Sequence, residues 1–284
     1  LVIGRAGMDI YPEPPGTKIT DVKDFSTHLG GSAANTCVAL SKLGVSSDLV
    51  TCISDDAIGE YILNKLKEFK VGSKFCRKVD KVFQTQLAVV ETILKNNQSI
   101  LYRNNSCDLQ LNKDDIDQID FQDYSAVFIS GTALSSEPSR EAVFYASQKA
   151  SISNIPLIID LDYRPYNWES DQMKSEIYQK IMSEMDIIIG NDLEFNIADN
   201  SSDGFHLTKN FIEKKSSIII YKMGERGSKV FTKEKEFEFG IFKVDAIKPT
   251  GAGDAFNGGF IGSLYKGMSL DESVKRGSAN AALD

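Results

Sequence analysis

The sequence predicts an α/β protein in which helices cover both faces of a mostly parallel sheet, with a small antiparallel lid added. Three observations point there. Short apolar runs alternate with amphipathic helical stretches along most of the chain. Polar residues or glycine bound each run, and two regions break the rhythm with a different pattern. Alternation of this kind calls for parallel strands buried on both sides by their own crossover helices.

In chain order, the β-rich apolar runs fall at residues 2–3, 49–53, 126–130, 157–161, 187–189 and 218–221. Between them, Ile58, Ile62, Leu66 and Phe69 recur at i, i+4, i+8 and i+11, one face of a helix. The first break spans residues 11–29, which are polar and hold a Pro-Glu-Pro-Pro-Gly turn. The second spans 84–110, where extended segments at 84–94 and 100–103 are joined by Lys95-Asn96-Asn97-Gln98-Ser99. That is a hairpin signal. Because ligands bind outside the carboxyl ends of parallel strands, such an antiparallel insert is expected to act as a lid. A solvated β-appendage or a dimer contact is the plainer alternative. The expected organisation is one domain over 1–284, with the lid formed by about 11–29 and 84–110.

Composition narrows the function. The 284 residues are 42% apolar and 25% charged, ordinary for a globular protein. Net charge is −8 and no run of five or six basic residues occurs, so neither nucleic acid nor a membrane is expected as partner. No apolar run approaches the roughly 20 residues that span a bilayer. Cys37, Cys52, Cys76 and Cys107 are scattered without a Cys-x-x-Cys pair. They read as free thiols of a cytoplasmic protein rather than zinc ligands. The chain opens at Leu1 inside a strand-like run, so a short preceding piece is expected.

The chemistry concentrates in Lys248-Pro249-Thr250-Gly251-Ala252-Gly253-Asp254, followed by the apolar helix of Phe256, Phe260 and Leu264. Small residues at a helix N-terminus leave backbone N–H groups and a positive dipole end for an anion. A carboxylate at the lip of that hole could take the proton of an attacking hydroxyl, which suits phosphoryl transfer. On its own the tetrapeptide reads equally well as a glycine turn with an N-capping Asp. A second such start is Gly30-Gly31-Ser32-Ala33-Ala34-Asn35, with Asn35 one turn into the helix. Neither the Gly-x-Gly-x-x-Gly of a dinucleotide fold nor a Gly-x-x-x-x-Gly-Lys-Ser/Thr loop is present.

At these two segments the chain resembles the ribokinase-like, PfkB-type family of carbohydrate kinases, whose signatures are Gly-Gly-x-x-x-Asn and Gly-Ala-Gly-Asp. Matching elements follow in order through essentially the whole chain. The resemblance implies a ribokinase-like three-layer fold and ATP-dependent phosphorylation of a sugar, with ATP and Mg2+ as cofactors. It makes Asp254 the catalytic base and Gly251, Ala252 and Gly253 the anion hole. Asp9 matches the sugar-hydroxyl-binding aspartate, joined by Gly30, Gly31 and Asn35. Asn191-Asp192-Leu193-Glu194 matches the element that holds hydrated magnesium, Glu194 acting through water. Lys222, Gly224 and Gly227 match the turn beside the nucleotide, with Asn191 on the same side, and Asn280 borders the adenine. Taken alone, Glu194 is also readable as a helix-surface acid and Asn280 as an ordinary helix residue. Lids pair in many relatives, so a homodimer through the lid is expected.

Two arginines bear on the sugar. Arg164, in Asp160-Leu161-Asp162-Tyr163-Arg164-Pro165, follows an apolar strand and could hold an anion. Tyr102-Arg103 on the second lid strand offers a further cation, so an acid sugar is expected. The alternative is that Arg164 merely pairs with Asp160 or Asp162. Within the family the set is similar to kinases of keto-deoxy sugar acids, above all those of myo-inositol catabolism. That implies phosphorylation of the 6-hydroxyl of 5-dehydro-2-deoxy-D-gluconate. The alternatives are 2-dehydro-3-deoxygluconate or another sugar of the family, and, in a different class, a non-catalytic sugar- or nucleotide-binding regulator. Lys248-Pro249 stands where many members place the Asp-Thr of a potassium site. Lys248 is therefore expected to substitute for the monovalent cation. The segment 198–204 reads as an abrupt junction, and the family is expected to continue beyond the helix of Asn280.

Overall fold

The computed structural model describes residues 1–93, 96–214, 218–244 and 250–283. The chain opens with β1 (Val2–Ile3), β2 (Gly7–Glu13), β3 (Asp24–Gly30), α1 (Ser32–Lys42), β4 (Asp48–Ser54) and α2 (Ala57–Glu68). Next come β5 (Gly72–Val79), β6 (Leu87–Val90), β7 (Ser99–Tyr102), α3 (Lys113–Asp117), β8 (Val127–Ser130) and α4 (Ser139–Ile152). β9 (Leu157–Asp160), α5 (Asp171–Met182), β10 (Ile187–Asn191), α6 (Asp192–Asp199), α7 (Phe205–Lys214) and β11 (Ile218–Lys222) follow. The last elements are β12 (Ser228–Phe231), β13 (Glu236–Phe239), α8 (Ala252–Tyr265) and α9 (Leu270–Leu283). The strands and the helix expected from the apolar pattern are all present, and the α/β class holds.

The chain folds as two compact units. The first comprises Leu1–Ile3 and Leu111–Ile241. Its sheet runs in the order β13-β12-β11-β10-β9-β8-β1. The five strands from β11 to β1 are parallel, and β12 and β13 are antiparallel additions. Ile158, Ile159, Ile187, Ile188 and Ile189 are buried, the continuous apolar run expected of strands covered on both faces. Register aligns the carboxyl ends: Ser130 pairs with Asp160, and Asn191 with Lys222. The sheet therefore presents its polar residues along one edge. The segment 198–204 closes in an ordinary way. Asn200 ends α6 in the left-handed region, and Gly204 N–H donates to Asn196 Oδ1 at 2.7 Å.

The second unit comprises Gly4–Gln110 and Phe242–Asp284. β4 and β5 pair in parallel, and α2 starts on Asp56, whose carboxylate accepts the Ile58 and Gly59 N–H groups. A separate small sheet has the order β3-β2-β6-β7. β6 and β7 lie within the second region that interrupts the α/β rhythm and β3 almost wholly within the first, while β2 begins before it, at Gly7. β6–β7 is antiparallel, as its hairpin signal predicted; β2–β3 is antiparallel as well, while β2–β6, joining distant segments, is parallel. Helices α1, α8 and α9 pack through glycine. A Cβ on Gly258 would lie 2.3 Å from the Ala39 Cβ, and one on Gly259 would lie 2.9 Å from the Arg276 carbonyl oxygen.

Candidate active site

In the second unit two helix starts meet. Gly31 caps α1 at φ +93°, and a Cβ there would sit 2.5 Å from the Arg5 carbonyl oxygen, so glycine alone fits. Gly30 is constrained from the other side: its Cβ would fall 2.1 Å from Asp9 Oδ1. The missing side chain is what lets the Asp9 carboxylate lie against the backbone where α1 begins. One turn on, Asn35 Nδ2 donates to Asp254 Oδ2 at 3.3 Å. Gly251 caps α8 at φ +103° without any side-chain hydrogen bond. The first ladder bond there is Ala255 N–H to Gly251 O, 3.0 Å. The amides of Ala252 and Gly253 thus precede the ladder, on exposed residues at the positive end of a 14-residue helix. Asp254 is half-buried in that same first turn.

The remaining second-unit residues divide. Tyr102 is 59% exposed at the end of β7, but Arg103 is buried. Arg103 Nη2 lies 2.6 Å from Asp108 Oδ2, and Ser106 Oγ donates to the other Asp108 oxygen. Burial pushes the Asp108 carboxyl up, but the Arg103 charge and these hydrogen bonds outweigh it and hold it low. The expectation of Arg103 as an open cation therefore needs correcting. Arg103 follows the last residue of β7 and is buried, and a guanidinium buried there needs a counter-ion. Sequence reading missed both Asp108 and the neighbouring Arg5–Gln86 hydrogen bond of 2.8 Å. Asn280 Nδ2 donates to the Ala255 carbonyl at 2.6 Å, tying α9 to α8.

The first unit gathers charge at the carboxyl edge of its sheet. Asn191 and Glu194 form a reciprocal capping box at the start of α6. Glu194 Oε2 accepts the Asn191 N–H at 2.8 Å, and Oε1 accepts the Tyr163 N–H at 3.2 Å. Glu194 is 5% exposed, so it is no helix-surface acid. Burial, then the nearby Asp160 and Asp162 charges, push its carboxyl up to about 7 against the opposing pull of Lys222. Lys222 Nζ lies 3.3 and 3.2 Å from the two Asp160 oxygens. Burial works against its charge, but Asp160 and Glu194 keep its pKa raised. This buried pair, made across β10, was also missed; a lysine closing an apolar strand was the available signal. Arg164 Nη2 contacts Asp162 Oδ1 at 3.0 Å, the plainer of its two readings, with 40% of its side chain still exposed. Ser130 Oγ donates to the other Asp162 oxygen at 2.7 Å. Gly224 and Gly227, at φ +56° and +86°, make the turn after β11. Lys248 lies outside the described residues.

The profile of the pfkB family carbohydrate kinases matches residues 1–284. The chain belongs to that family. Among curated PfkB-type relatives, the 5-dehydro-2-deoxygluconokinase of Photobacterium profundum is 37% identical over 290 residues, covering all of this chain and 88% of the relative. The one of Lacticaseibacillus casei is 32% identical, covering 100% and 88%. In fold the chain is similar to aminoimidazole riboside kinase from Salmonella enterica, crystallised with aminoimidazole riboside and an ATP analogue. The TM-score is 0.82 at 21% identity, covering 99% of this chain and 92% of that one. As a PfkB-family member the protein is an ATP-dependent carbohydrate kinase.

Proposed function

We propose that the protein transfers the γ-phosphoryl group of ATP to the 6-hydroxyl of 5-dehydro-2-deoxy-D-gluconate, giving the 6-phosphate and ADP. The observation that carries the chemistry is Asp254, in the first turn of α8 and held by Asn35 at 3.3 Å. The choice of sugar draws on the full-length relatives of that name. The substrate O6 attacks the γ-phosphorus as its proton passes to an Asp254 oxygen. The bond to the ADP oxygen breaks, and ADP leaves with the electron pair. The Asn35 amide, bonded to Oδ2, orients the carboxylate. The Ala252 and Gly253 amides face the charge growing on the phosphoryl oxygens, and preorganised donors of this kind lower the barrier most. Asp9, Gly30, Gly31 and Asn35 hold the sugar hydroxyls. Gly224 and Gly227 shape the nucleotide turn, and Asn280 acts through α8.

Magnesium fits the first unit. The raised Glu194 carboxyl beside Asp160 and Asp162 marks excess buried negative charge, which a divalent cation would offset. Glu194 would hold the hydrated ion with Asn191 beside it, and the bound ion would neutralise phosphate charge. Lys222 is best read as the counter-ion of Asp160 rather than a direct nucleotide contact. On the small sheet, the exposed Phe25, Ile100 and Tyr102 support pairing with a second copy through the lid.

The test is ADP release from magnesium-ATP with 5-dehydro-2-deoxygluconate, 2-dehydro-3-deoxygluconate, fructose and ribose. A kcat/KM advantage of about tenfold, equivalent to about 1.4 kcal/mol, is expected for the first. Asp254→Asn should lower kcat by about 10²–10⁴-fold while sugar binding persists. Preference for another sugar would overturn the substrate, and an active Asp254→Asn variant would overturn the base.

A further inference from the structure

The small sheet of the second unit carries one polar row that the reading above uses only at Asp9. Strand alternation puts Asp9, Tyr11 and Glu13 on one face of β2. The antiparallel register sets His28 directly beside Asp9 and Ser26 beside Tyr11. Tyr11 Oη donates to Asp9 Oδ2 at 3.5 Å, and its ring meets the His28 imidazole edge-on with centroids 5.1 Å apart. Ser26 Oγ gives its one proton to Glu13 Oε1 at 2.6 Å, so the 3.2 Å contact with His28 Nε2 must be donated by the imidazole. That leaves Nδ1 as the nitrogen this row does not engage. The opposite face of the sheet is apolar, with Ile10, Leu87, Val89 and Ile100. His28 is exposed, while Asp9 and Tyr11 are half-buried.

A succession of contacts within the unit links this row to Asp254. Asp254 touches Asn35, Asn35 N–H is bonded to Gly31, the next glycine is packed on Asp9, and Asp9 stands beside His28. A six-carbon acid with its 6-hydroxyl at Asp254 and its middle hydroxyls at Asn35 and Asp9 would extend its carboxyl end toward His28. The cation expected there from the sequence, Arg103, is buried against Asp108. We infer that His28, steadied by Tyr11 and Ser26, receives the carboxylate of the sugar acid and sets the preference for acids over neutral sugars. A protonated imidazole supplies both the charge and the hydrogen bond a carboxylate needs. This rests on the proposed roles of Asp9, Asn35 and Asp254.

The experiment compares kcat and KM for 5-dehydro-2-deoxygluconate and for its carboxyl-reduced alcohol analogue, in the unmodified enzyme and in His28→Ala and His28→Arg. His28→Ala should raise KM for the acid by about tenfold or more, as loss of a charge-assisted hydrogen bond does. It should leave kcat for the acid and KM for the alcohol little changed, and His28→Arg should restore acid binding. Equal rises in KM for both compounds, a fall confined to kcat, or no change would overturn the assignment. If the unmodified enzyme does not phosphorylate the acid, the proposed substrate fails first, and this inference with it. That outcome is visible before any substitution is made.

Discussion

Glu194 shows how one side chain can close a helix and carry charge at once. Both its oxygens accept backbone N–H groups, yet burial and two neighbouring carboxylates raise its pKa from an ordinary 4.5 to about 7. In the fold it therefore keeps its proton to a higher pH than in the unfolded chain. The folded state binds more protons than the unfolded one between those values, so stability falls as pH rises from about 4.5 to about 7. Below the lower value and above the higher one, this residue adds no slope. Glu194→Gln removes the titration, at the cost of facing an amide NH2 to one of the two N–H groups. Urea unfolding of the metal-free protein should show a lower plateau at acid pH and a flatter curve across that window. A decline as steep as in the unmodified protein would place the titrating group elsewhere.

Among elements, the contact of α1 with α8 matters most, because α1 carries Asn35 and α8 carries Asp254. At Gly258 these helices lie tightly together, with its missing Cβ 2.3 Å from the Ala39 Cβ and 3.1 Å from the Ala39 carbonyl carbon. A methyl group there cannot be relieved by a rotamer change, so the helices must part. Gly258→Ala is expected to cost about 1–3 kcal/mol, as overpacking usually does. It should also lower kcat, because the 3.3 Å Asn35–Asp254 contact lengthens with the separation. Denaturant titration read alongside steady-state kinetics checks both, and a stability loss with unchanged kcat would separate packing from catalysis. The glycines were visible in the sequence as a run after Asp254. Their packing role was not, since it depends on which helix lies opposite.

Over the whole molecule, the described residues contain no helix long and apolar enough to cross a membrane. The apolar exposure that invites a partner includes Phe25, Ile100 and Tyr102 of the small sheet, at 47%, 39% and 59%. If a second copy covers that face, Ile100→Lys should shift the protein from dimer to monomer in light scattering after size exclusion. A monomeric unmodified protein would remove the lid-pairing proposal. The α/β class, the strands and both glycine-rich helix starts were legible in the sequence. Each depends on local pattern: apolar runs, helical spacing, and small residues before a helix. Asp254 and Asn35 stand at those helix starts, but their roles came from the resemblance to the PfkB-type kinases and not from local pattern. Only the tertiary structure decided which charges are open. Arg103 and Arg164 were expected as cations for the sugar and Lys222 as part of the nucleotide turn, yet each has a carboxylate partner, Asp108, Asp162 and Asp160. Burying a charge demands a counter-ion, and the fold selects that partner by bringing chain-distant groups together. His28 became interesting by the same route, because strand register rather than sequence spacing sets it beside Asp9.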